Sequence, residues 1–284
     1  MEILVTSISF AGSTLELTVG DKIPLDPLIV PDNATNKKIN WSSSKDAVAT
    51  VTPEGIVEAV SAGEAVITAT SEDSGVNAKC EIVVNEIIVY ELIDLGFSVK
   101  WASCNLGASR PEEYGKYYQW AGTQDVSDLG IDLDLSNCPY FTGRGWVRYN
   151  PNSTYGIVDD WTVLYPEDDA ATVALGGKWR IPTAEEWTDL LEKCNWTWTT
   201  LNMVDGYKVQ SNMSGYSDNW IFLPAAGCRF DESLHRAGLA GCYWSSSLNT
   251  SLLNAAYDLA FSSDRVSKQY DYRYRGCSVR PVSD

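Results

Sequence analysis

"INWSSSKDAVATVTPEGIVEAVSAGEAVITATS" (39–71) is a succession of short alternating or β-branched runs broken by turn signals. Val48, Val51, Val57, Val66 and Ile67 supply the apolar faces, and strands at this spacing predict a β-sandwich. Gly55 and Gly63 fall where the chain must reverse, a place where positive φ costs glycine little. Working outward, "TLELTVGD" (14–21) and "KCEIVV" (79–84) continue the pattern, so residues 4–85 read as one all-β unit.

The 284 residues suffice for two domains of ordinary size. Lys and Arg total 21 against 38 Asp and Glu, a net charge of −17. Nucleic acid and anionic membrane surfaces are therefore not expected partners, because phosphate recognition needs clustered positive charge. Eleven Trp and 15 Tyr suit either a core of large side chains or a contact surface. No apolar run reaches the roughly 18 residues of a bilayer span, so the chain is not expected to cross a membrane. "MEILVTSISF" (1–10) lacks the basic and long apolar regions of a secretory signal. Either a leader has been removed ahead of it, or the protein leaves the cell by another route, as a phage virion protein would.

The seven cysteines (80, 104, 138, 194, 228, 242, 277) form no C-x-x-C pair, and their spacing predicts no zinc site. Cys80 and Cys104 sit in apolar surroundings and read as small buried hydrophobes. His235 is the one histidine, and no serine lies in a nucleophile-elbow context. Asp132 and Asp134 in "DLGIDLDLSN" (128–137) share an i, i+2 spacing with some calcium loops but lack the glycine and distant glutamate of an EF-hand. No metal or cofactor is expected.

The pattern changes near "NEIIVYELIDLG" (85–96), which divides the chain into domains 1–88 and 89–284 across a short, stiff junction. One helix is clear in the second part. In "IPTAEEWTDLLEKC" (181–194), Thr183 and Glu186 form a capping box, Pro182 sets the entry, and Trp187, Leu190, Leu191 and Cys194 share a face. Glu185 and Glu186 point about 100° apart and read as first-turn carboxylates favoured by the helix dipole, not a catalytic pair.

"LTVGD" followed by "WSSSKDAVATVTPEGIVEAVSAGEAVITAT" closely resembles bacterial Ig-like domains of group 2, which implies a spacer or stalk. Five further blocks occur in fixed order: "DLGFSVKWASCNLGASRPEEYGKYYQWAG" (94–122), "GGKWRIPTAEEWTDLL" (176–191), "FLPAAG" (222–227), "GCYWSSS" (241–247) and "GCSVRPV" (276–282). Together they resemble the domain repeated in Fibrobacter and Bacteroides surface proteins. The resemblance implies an α+β C-type-lectin-like fold with long irregular loops, shared with formylglycine-generating enzymes and with the variable proteins of diversity-generating retroelements. In the latter the polar C-terminal stretch carries the ligand-binding residues.

On this basis Trp179, Ile181, Trp187, Leu190, Trp220, Phe222, Trp244, Val279 and Val282 are expected in the core, with chain reversals at Gly227, Gly241 and Gly276. The segments 228–240, 248–259 and 262–276 are expected to vary without touching that core. The candidate ligand-binding residues are Arg229, Asp231, His235, Arg236, Asn249, Asn254, Tyr257, Tyr270, Tyr272, Arg273 and Tyr274. Alternation places Tyr270, Tyr272 and Tyr274 on one strand face and Gln269, Asp271 and Arg273 on the other. The tyrosine face is either open to a sugar or protein, or packed inward as core. Arg280 reads as a structural donor.

Catalysis is not expected. The G-N-V-x-E-W segment of the formylglycine-generating enzymes is missing, and Cys277 stands where other members carry an aromatic residue. The expected function is a non-enzymatic, extracellular, surface-anchored adhesin that grips a glycan or protein on a host or neighbouring cell. The alternative is a phage virion receptor-binding or decoration protein.

Overall fold

A computed structural model describes residues 2–284, with two compact units, the first ending at Ile87 and the second spanning Ile88–Asp284. Among the described residues no helix is long and apolar enough to cross a membrane.

The first unit is built of strands alone. Thr14–Thr18, Asn77–Asn85, Gly63–Ser71 and Ile39–Ser43 form a four-stranded sheet in that order, and Lys22–Pro24, Ile56–Ala59 and Ala49–Val51 form a three-stranded one. Thr14–Thr18 runs parallel to Asn77–Asn85, whereas the other pairings in these two sheets are antiparallel. Period-two burial decides which residues face inward: Ala65, Ile67 and Ala69 on one strand, Cys80, Ile82 and Val84 on its neighbour. Val57 and Val48 complete the core, whereas Val66 and Val51 are only half-buried. Gly55 does turn the chain at φ +87°, and a Cβ there would also collide with the Trp41 ring.

The second unit is mostly β with two short helices, Ala170–Leu175 and Ala184–Lys193. Its central sheet has the order Tyr117–Tyr118, Cys277–Ser278, Ala240–Leu248, Ala255–Ser262, Arg265–Tyr272, so the last strand is an edge. A second sheet is closed by the C-terminal strand Val282–Ser283, which lies between Lys100–Ala102 and Trp179–Arg180. A third contains Cys194–Leu201, Val204–Ser211 and Trp220–Pro224.

The helix Ala184–Lys193 begins as expected. Thr183 accepts from the Glu186 amide, and Glu186 accepts from the Thr183 amide and holds Arg180 through both carboxylate oxygens at 2.7 and 2.8 Å. Its inner face presents Trp187 and Leu190, both fully buried. The Trp187 ring packs 4.8 Å from that of Trp101, and its indole N–H donates to the Trp244 carbonyl. Thr183→Ala leaves an orphan helix amide and should destabilise the unit by about 1 kcal/mol, read from thermal denaturation.

Several expectations are corrected. Trp220 is not core: it is 38% exposed, with the Lys208 ammonium over its ring. Gly241 lies within a strand, where it makes room for the Phe261 ring, and is no chain reversal; Gly276 likewise lacks positive φ. Residues 248–259 do reach the core, because Ala255–Ser262 is an inner strand that buries Ala255, Ala256, Leu259 and Phe261. Arg273 is completely buried and belongs to the interior. Its guanidinium carbon lies 3.7 Å from the centre of the Trp146 ring and 4.7 Å from that of Trp120, and it donates to the carbonyls of Tyr149 and Leu253. Burial pulls its pKa down to about 10, still far above neutrality, so it remains a cation among aromatic faces.

Candidate functional site

The edge strand Arg265–Tyr272 organises the candidate site. Its alternation is as expected to this extent: Tyr270 and Tyr272 are exposed, whereas Asp271 is mostly covered and Arg273 enclosed. Tyr270 lies directly across from Tyr257 on the neighbouring strand. With Arg265, Lys268 and Gln269 these two rings line an open concavity of about 450 Å³. The Lys268 ammonium sits 5.9 Å from the centre of the Tyr257 ring and donates to the Thr188 hydroxyl at 2.9 Å. Charged side chains on an edge also discourage a second strand from adding there.

A second cavity of about 440 Å³ flanks the same strand and is lined among others by Cys228, Phe230, Arg236, Gln269, Tyr270, Asp271 and Arg275. The hairpin Cys228–Phe230/Ser233–His235 forms part of its wall. Two of its lining groups, Phe230 and Arg275, belong to a stacked series: His235 lies 3.5 Å from Phe230 at 10°, the Arg275 guanidinium 4.7 Å over Phe230 and 6.0 Å over Tyr272, and Tyr272 lies 5.2 Å from Tyr274 at 8°. Arg275 is held by Asp271 at 3.1 Å. Such planar groups present flat apolar faces with polar edges, suited to sugar C–H faces or to protein side chains.

The base of this cavity is unusual. Cys242 donates to Asp258 Oδ2 at 3.0 Å, its sulfur lies 2.9 Å from that of Cys277, and Asp258 Oδ1 is buried without a partner. Burial raises Asp258 to about 7 and Cys277 to about 12.

The sequence-predicted residues therefore divide. Tyr257, Tyr270, Tyr272, Tyr274, Arg229, His235, Asp231 and Arg236 lie on or beside these two hairpins, with Asp231 and Arg236 at exposed positive-φ positions. Asn249 is buried and accepts from the amides of Ser251 and Leu252, so it shapes a turn. Asn254 is half-buried, and its carbonyl accepts from the Arg273 amide. Arg273 does not reach solvent. Asn249 and Arg273 are thus structural as placed. Sequence reasoning missed Phe230, Asp258, Gln269, Asp271 and Arg275; the strand alternation identified Gln269 and Asp271 as a shared face, but nothing local shows that a cavity opens onto it. Asp134 caps the turn Leu135–Asn137, and the Asp132 carbonyl accepts from the Asn137 side-chain amide.

Comparison with known proteins finds curated relatives that align with part of this chain. An alpha-L-arabinofuranosidase of Bifidobacterium longum is 37% identical over 82 residues, covering 29% of this chain and 8% of that protein. An Ig-like virion protein of Serratia phage KSP90 is 32% identical over 84 residues, covering 29% of this chain and 33% of the relative. The chain thus spans a small part of the curated relatives it matches. Among solved structures, domains 4 and 5 of the S-layer protein SbsC align over 28% of this chain and 52% of theirs, at 19% identity and a TM-score of 0.25. Residues 4–82 match the family model "Bacterial Ig-like domain (group 2)", and the N-terminal unit is a domain of that family.

Proposed function

We propose that this is a non-enzymatic, extracellular binding protein whose second unit, a C-type-lectin-like domain, grips a glycan or protein on a host or neighbouring cell, with the Ig-like domain as spacer. Support comes first from the open tyrosine face: Tyr270 is 56% and Tyr272 40% exposed, beside two concavities, although large aromatic rings gain most by burial. Tyr270 and Tyr272 stand on the edge strand of the central sheet, where exposed side chains can differ chemically without disturbing the buried residues beneath them. The acidic chain, at −17, suits partners that are neutral or basic. No catalytic step is assigned: Cys242 and Cys277 are buried, the Cys277 thiol and then burial push the Cys242 pKa up, and burial pushes that of Cys277 up.

A glycan array and a cell-surface extract, each presented to the immobilised full chain, test this. Retention of a defined sugar or protein that excess soluble chain competes away is the expected result. Silence in both assays overturns it. A second setting, a phage particle, is favoured by the likeness to the virion protein of Serratia phage KSP90. Neighbouring genes for capsid or tail components would support that setting, and a lipoprotein leader encoded upstream would exclude it.

A further inference from the structure

The geometry points to a binding site for a thiophilic divalent cation of the zinc class, formed by Cys242, Cys277 and Asp271 at the base of the cavity beside the edge strand. The ligand atoms of these three residues lie within 4.8 Å of one another. They come from three strands of one sheet, and the two cysteines lie 35 positions apart, which is why cysteine spacing does not reveal them. Two thiolates and a carboxylate are a donor set that suits zinc, with bonds of about 2.3 Å to sulfur and about 2.0–2.2 Å to oxygen.

Asp258 is the second, independent sign of a ligand. It is 2% exposed, one oxygen takes the Cys242 thiol, and the other has no partner although it belongs to the group lining the cavity. A buried orphan carboxylate oxygen is costly unless something satisfies it. The Asp271 carboxylate is already oriented, because one oxygen accepts from the Tyr272 amide at 2.7 Å and the other from Arg275 at 3.1 Å. Outer contacts of this kind fix metal-binding side chains. Cys242 and Asp271 line the cavity, so the ion has a way in, and its fourth position faces that space.

A disulfide is the competing fate of the two sulfurs. Cys242 and Cys277 each precede one member of the parallel pair Tyr243–Ser278 and so sit side by side on neighbouring strands. Neighbouring strands are about 4.8 Å apart, within the roughly 4.4–6.8 Å Cα separation that a disulfide accepts, so the experiment has to distinguish the two fates. Tetrahedral zinc would hold the sulfurs about 3.7 Å apart, a modest opening from 2.9 Å.

The test is cobalt titration of the full chain, reduced and stripped with a chelator. One equivalent of Co²⁺ should produce thiolate-to-cobalt charge-transfer absorption that Zn²⁺ then erases. Cys242→Ser should abolish the band, and Asp271→Asn should weaken cobalt binding at least about tenfold. Because a serine at enclosed position 277 could disturb folding, the unaltered chain supplies a second measurement: Zn²⁺ should protect Cys242 and Cys277 from alkylation, as mapped by mass spectrometry. A band that persists in Cys242→Ser overturns the proposal. So does a chain isolated with Cys242 and Cys277 joined as a disulfide that takes up no cobalt after reduction.

Discussion

Replacing Arg280 with methionine should destabilise the second unit by about 3–5 kcal/mol, on the scale of losing several hydrogen bonds to a charged group. The Arg280 side chain is fully buried and its three nitrogens are all engaged: Nε with Asn105 Oδ1 at 3.0 Å, Nη1 with the Ala102 carbonyl at 3.0 Å, and Nη2 with the Phe222 carbonyl at 2.7 Å. These acceptors belong to two different sheets and the segment between them, so one planar cation ties the C-terminal strand to both. Methionine fills much of the volume but leaves two carbonyls and an amide oxygen without a donor. Lysine offers a point charge on a flexible stem and should not restore the fork. Urea unfolding should show the second unit's midpoint fall sharply while that of the Ig-like unit stays put. A loss below about 1 kcal/mol would refute this role.

Arg273→Ala should cost about 3 kcal/mol, from a desolvated cation–π stack worth about 2 kcal/mol or more together with lost packing. The cost arises from stacking more than from hydrogen bonds, since the Arg273 donor contacts are long, at 3.3 and 3.4 Å, and its Nε and Nη2 have no partner. Its flat cation fills the space between Trp146 and Trp120, and so fixes the short hairpin bearing Trp146 against the end of the edge strand. Arg273→Lys should be nearly as harmful, because an ammonium does not stack. Denaturation of Arg273→Ala, Arg273→Lys and the parent chain checks this; equal midpoints would place Arg273 on the surface after all.

What the sequence disclosed follows from which signals are local. The strands of the first unit and the Thr183–Glu186 cap are written in short-range alternation and capping chemistry, and both appear as expected. Arg280 was readable because a charge between Val279 and Val282 in an apolar block must find acceptors within the core. Arg273 was misread for a matching reason: an arginine between tyrosines resembles a recognition surface until Trp120 and Trp146, more than a hundred residues upstream, close over it. The interior position of Ala255–Ser262 was equally hidden, since the order of strands within a sheet is a tertiary fact. The cavity draws its walls from the hairpin at 228–235 and the strands after 240, and no single window of sequence contains it.

The most direct measurement compares ligand capture and melting temperature for the full chain and the double variant Tyr270→Ala, Tyr272→Ala, using the sugar or protein retained by the parent. Both rings are exposed, so the expected result is loss of capture with stability changed by no more than about 0.5 kcal/mol. Capture undiminished in the double variant would contradict a binding face on this strand. A collapse in melting temperature would show that the rings hold the fold together.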